Sequence, residues 1–219
     1  MSVLLFILFT VIVGITIDYF IRRKKKISYA TQQQVNQLSP SKIIPMVPPG
    51  VFIQPSFTWS KILDSGNLML GVHPILLGLI GKPEKFEKLP QGQHVKKGDT
   101  FITLQKDSKR LNIKSPVNGT IESINLEFDD GVWENMGTVW LYCIKPENLS
   151  SEFTYWFLAE KSKKWINQKI EQIKTFLSDS LSPKQVGLTI ADGGELSVGV
   201  LSQFDNKIWQ DFESKFLAS

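Results

Sequence analysis

LQKDSKRLNIKSPVNGT, residues 104–120, contains an alternating run flanked by a turn and a bend. In residues 110–114, Leu111 and Ile113 alternate with Arg110, Asn112 and Lys114. That is the period of a strand with one buried face and one basic, wet face. Asp107 and Ser108 are turn formers, so residues 105–109 predict a hairpin tip joining this strand to TFITLQ, residues 100–105. Further short apolar runs stand at 67–72, 119–126 and 137–144, punctuated by Gly and Pro. This pattern predicts an antiparallel, mainly β domain over residues 51–160, with a short helix at the apolar start of PILLGLIGKPEKFEKL, residues 74–89.

The flanks differ from this body. Residues 3–21, VLLFILFTVIVGITIDYFI, hold one charge, Asp18, and are long enough for a transmembrane helix. A cleaved signal peptide would need positive charge before the apolar run and a small-residue site after it. Instead RRKKK, residues 22–26, follows directly, so the positive-inside rule predicts a single-pass anchor, residues 1–26, with the N-terminus outside and the soluble domain cytoplasmic. Residues 27–50 have the Gln, Ser and Pro content of a linker. Residues 161–219 predict a small α+β extension. Ile166, Ile170, Ile173 and Leu177 mark one amphipathic helix, and residues 186–201 a hairpin turning at ADGGE. Asp205 caps a last helix with Ile208, Trp209, Phe212, Phe216 and Leu217 on its apolar face.

The net charge of +4 over 219 residues includes the five cations of RRKKK, and the remainder is near −1. No basic field is left to bind nucleic acid. Cys143 is the single cysteine, which rules out an intrachain disulfide, and its apolar setting predicts a small core residue. His73 and His94 fall in separate turns without a third ligand at metal-like spacing, so neither a metal site nor a role beyond a loop residue is expected. The carboxylates of LEFDDG, residues 126–131, read as turn chemistry. No catalytic constellation and no small-molecule substrate site emerge.

VKKGD at 95–99, SPVNG at 115–119, Asn125 and the strand VWLYCI at 139–144 occur in an order that resembles the glycine cleavage H protein, of the lipoyl and biotinyl carrier group. The resemblance covers residues 51–160 and implies a hybrid-motif β barrel or sandwich with the lipoyl lysine on an exposed hairpin. In that family the lysine stands eight positions before the proline of the bend. Counting back from Pro116 gives Ser108, which has no amine to form a lipoyl amide. Phe57 replaces the usual histidine before the tryptophan, and Gln105 the usual acid before the lysine site. A one-residue slip that brought Lys109 to the tip would invert the alternation of Leu111 and Ile113. The sequence therefore predicts a cofactor-free, non-enzymatic scaffold or docking subunit that meets protein partners in a membrane complex. The alternative is a carrier with lipoate on Lys109 or Lys106. A third expectation, that Lys106, Lys109, Arg110 and Lys114 form a basic projection for anionic lipid, competes with an ordinary solvated surface.

Overall fold

A computed structural model of the chain describes residues 50–134, 139–153, 156–180 and 196–217. The anchor expected over residues 1–26 and the expected linker as far as residue 49 lie outside the described residues. Among the described residues, no helix is long and apolar enough to cross a membrane. Nine strands form two antiparallel sheets among these residues. The larger orders as β1 (Phe52–Gln54), β2 (Thr58–Ile62), β3 (Leu68–Val72), β9 (Tyr142–Pro146), β8 (Gly119–Ile124) and β5 (His94–Val95). The smaller is β4 (Lys85–Lys88), β6 (Thr100–Lys106) and β7 (Lys109–Lys114).

Leu68, Leu70, Val72, Phe101, Leu104, Leu111, Ile113 and Ile121 are buried core residues of the two sheets. Tyr142 joins the sheets. Its hydroxyl donates to Phe101 O at 3.0 Å and accepts from Leu89 N at 2.7 Å, and burial pushes the phenol's pKa up. The two motifs flanking β6 and β7 lock together: Gly98 N–H donates to Ser115 O, Ser115 N–H to Asp99 O, and Lys97 N–H to Asn118 Oδ1. Gly119 is required here, because a Cβ would overlap the Lys145 carbonyl oxygen of the adjacent strand.

Helix α1 (Pro74–Ile80) is buried along its whole length, and α2 (Phe128–Glu134) places Asp129 and Asp130 in its first turn. The acidic stretch expected to be a turn thus starts a helix, where carboxylates offset the positive N-terminal end of the dipole. After α3 (Leu149–Glu152), helix α4 (Glu160–Asp179) buries Ile166, Ile170, Ile173 and Leu177 as its periodicity predicts. Trp165 stacks with Phe157 and packs against Phe57, 5.3 Å between centroids.

Three local expectations are corrected. Of the hairpin expected over 186–201, residues 186–195 lie outside the described residues, and residues 196–201 form no strand. Gly199 adopts a left-handed conformation, donates to Gly78 O and leads into a 3₁₀ turn, Val200–Gln203. Cys143 is half-buried rather than a core residue, because its neighbours Tyr142 and Ile144 take the inward positions of β9.

His73 is fully buried, not a loop residue: it caps α1, with Nδ1 accepting from Ile75 N–H at 3.2 Å. That bond leaves the ring proton on Nε2, which has no hydrogen-bond partner. Burial lowers its pKa from 6.5 to about 3. The folded protein therefore keeps His73 neutral while the unfolded chain protonates it below pH 6.5. Its contribution to stability is complete above that pH and declines as the pH falls toward 3, by up to about 1.4 kcal/mol per pH unit. His73→Asn retains an acceptor for the Ile75 N–H and is expected to flatten this acid limb in denaturant titrations.

Candidate functional site

The β6–β7 hairpin closes on the pair Lys106 and Lys109, leaving Asp107 and Ser108 as a two-residue tip. Both tip residues are exposed. Asp107 takes a positive φ of 53°, which Asp tolerates better than most residues, and its N–H donates to Glu84 Oε2 at 3.1 Å. Cross-strand pairing runs Gln105 to Arg110, Leu104 to Leu111 and Ile102 to Ile113, so Leu111 and Ile113 enter the core. This register leaves Ser108 at the projecting corner.

The two flanking lysines do not project. Lys106 Nζ donates to Ile80 O, at the end of α1, at 3.1 Å. Half-burial lowers the pKa of its ammonium; Asp107 and Glu84 oppose that shift, while the charge of Lys109 adds to it. Ser202 Oγ donates to the same Ile80 carbonyl. Lys109 Nζ donates to Ser202 O at 2.5 Å and Phe204 O at 3.0 Å, and lies 5.4 Å from the Trp209 ring centroid. These carbonyls end the 3₁₀ turn, where a cation meets groups left without intrahelical donors.

Trp209 belongs to α5 (Asn206–Phe212), which Asp205 caps through Oδ1 and Ile208 N–H, as the sequence predicts. Fully buried, Trp209 donates from Nε1 to Leu201 O at 2.7 Å. A π-helical turn, Glu213–Leu217, extends α5 along β7, the edge strand of the smaller sheet. There Glu213 accepts from Asn112 N–H at 2.9 Å and from the Asn112 side-chain amide at 3.1 Å. The face expected to be basic and wet is therefore partly covered, which also protects an open strand edge.

A polar cleft of about 390 Å³ remains between β7 and α5, lined by Ser108, Arg110, Asn112, Lys114, Gln210 and Glu213 among others. Its cations have protein partners: Arg110 pairs with Glu87, and Lys114 Nζ donates to Thr100 Oγ1 at 2.9 Å. The four-cation projection expected for lipid contact is thus drawn into internal contacts at each member.

Phe57, at the position where the resemblance implies a histidine, is fully buried with φ 55°, and its carbonyl accepts from His73 N–H at 2.8 Å. His94, by contrast, is exposed and pairs with Glu147 at 2.7 Å. Among the described residues, no group of His, Cys, Asp or Glu side chains could hold a metal ion. Sequence reasoning missed Ser202, Phe204 and Glu213, the partners that the C-terminal segment brings to the hairpin. Two of these contribute backbone carbonyls, which leave no trace in side-chain spacing.

Residues 81–136, which include the hairpin, match the family model Biotin_lipoyl, described as biotin-requiring enzyme. The chain is 24% identical over 120 residues to a probable glycine cleavage system H protein of Pyrococcus horikoshii, covering 53% of this chain and 90% of that protein. It is 25% identical over 115 residues to the corresponding protein of Pyrococcus abyssi, covering 51% and 86%. A solved glycine cleavage H protein from Mycobacterium marinum superposes with a TM-score of 0.41 at 16% identity, over 49% of this chain and 97% of that one. The family match and the curated relatives give the β body an H-protein-like fold of the lipoyl carrier kind.

Proposed function

We propose that the chain is a membrane-anchored, non-lipoylated H-protein-like subunit, acting as a scaffold or docking module in a complex at the cytoplasmic face of a membrane. It catalyses no reaction of its own in this reading. The observation that carries it is the engagement of both tip lysines within the chain: Lys106 on Ile80 O, and Lys109 on Ser202 O, Phe204 O and the Trp209 ring. A swinging arm needs an amine at an exposed corner, and the corner residue is Ser108. Converting Lys109 to a lipoyl amide would remove its charge and two of its N–H donors, weakening the contacts that hold the C-terminal segment. The apolar residues 3–21 followed by RRKKK support the anchor and its cytoplasmic orientation.

Intact mass of the full chain from a lipoate-competent host tests this reading. The unmodified mass is expected. An added lipoyl group that disappears in Lys109→Ala or Lys106→Ala would instead establish a carrier.

A further inference from the structure

Phe153 and Leu158 are large hydrophobic residues that remain exposed, at 37% and 45%. Single exposed apolar residues are ordinary. These two, however, flank an aromatic cluster. Phe153 packs against Trp156 at 5.1 Å between centroids, and Phe52 lies 5.5 Å from both rings. Leu158 O accepts from Lys161 N–H at 3.2 Å, which joins the cluster to the start of α4. Lys161 and Lys164, both exposed, are three residues apart and therefore neighbours on one helix face. The carboxylates of this segment have cationic partners: Glu152 pairs with Lys97 and Glu160 with Lys163, leaving the border net positive.

We propose that the face formed by Phe153, Leu158 and the half-buried Phe52, backed by the buried Trp156 ring and bordered by Lys161 and Lys164, lies against the headgroup region of an anionic lipid bilayer. The proposal rests on the membrane-anchored reading and adds the orientation of the body to it. Two features favour lipid as the occupant. First, the linker enters the body at this face, since residue 50 immediately precedes the residues leading into β1, where Phe52 sits. Second, aromatic and aliphatic groups rimmed by lysines have the chemistry of an interfacial surface, with rings at the headgroup boundary and ammonium groups reaching anionic lipid.

The test uses the full chain in vesicles of phosphatidylcholine and phosphatidylserine. In a Cys143→Ala background, Leu158→Cys carries an environment-sensitive fluorophore, with Lys85→Cys on the exposed edge of β4 as the comparison site. The chain is expected to stay with the vesicles after alkaline washing. Emission from position 158 should shift to the blue and fall by roughly half or more with lipid-borne quenchers, while position 85 remains in water. Lys161→Glu with Lys164→Glu should reduce the quenching at 158.

If position 158 is as wet as 85 while the chain stays with the vesicles, the lipid-facing surface is wrong and the anchor stands. A label that is dry only in native membranes, and wet in protein-free vesicles, also overturns lipid as the occupant and assigns the face to a protein. If the chain leaves the vesicles on washing, the anchored reading fails, and this inference with it.

Discussion

Ser108→Lys should convert the chain from an unmodified protein into one bearing a single lipoyl amide when it is produced in a lipoate-competent cell. Position 108 is exposed on a two-residue tip whose register is fixed by the pairing of Lys106 with Lys109 and by the burial of Leu111 and Ile113. Those core positions resist a slip, since moving by one residue would turn both apolar side chains outward. An amine placed at 108 would project without displacing the internal contacts of Lys106 or Lys109. The expected change is close to all-or-none and is read by intact mass with peptide mapping. If Ser108→Lys folds with unchanged thermal stability yet remains unmodified, the attachment register counted from Pro116 does not apply to this hairpin.

Trp209→Ala is expected to be the most damaging substitution in the C-terminal segment. The indole is fully buried, donates to Leu201 O and lies under the Lys109 ammonium. Truncating a buried aromatic of this size costs about 3–5 kcal/mol, with the lost hydrogen bond included in the penalty. Lys109→Met retains much of the aliphatic stem but removes two charge-assisted bonds, with an expected cost of about 1.5–3 kcal/mol. Because the two side chains touch, their effects should not add: a coupling of roughly 0.5–2 kcal/mol is expected in a double-mutant cycle by chemical denaturation. Additive losses would mean that the lysine and the tryptophan hold separate parts of the segment.

The hairpin was legible in the sequence because its buried face alternates cleanly and its turn residues fall between two such runs. The preceding strands were not. In FIQPSFTWSKI, residues 52–62, Gln54, Ser56, Thr58 and Ser60 are spaced as though facing water, yet all four are buried. They satisfy one another: Gln54 donates to Ser60 Oγ at 2.5 Å, Thr58 to Gln54 Oε1 at 3.0 Å, and Ser56 and Thr58 lie 3.1 Å apart. Both faces of this strand pair are buried, Ile53, Phe57 and Trp59 on one side and the four polar residues on the other, so alternation no longer reports exposure. His73 was misread for a related reason, since a seven-residue helix buried on every side shows no amphipathic period to place its cap in the core.

At the candidate site, the serine at the corner was legible by counting, whereas the fate of the lysines was not. Their partners lie 26 residues away for Lys106 and 93 and 95 for Lys109. No periodicity within the hairpin encodes contacts at such separations.

Those separations give the tip a history as well as a geometry. Synthesis runs from the N-terminus, so the β6–β7 hairpin exists for an interval before residues 199–217 have been made. At about 5–20 residues per second, the hundred or so residues between them correspond to several seconds or more. During that interval Lys109 has neither its carbonyls nor its indole, and the outer edge of β7 has no helix over it. The nascent hairpin is thus a different substrate from the finished one, and any enzyme or partner that needs a free Lys109 has its opportunity before the C-terminal segment arrives.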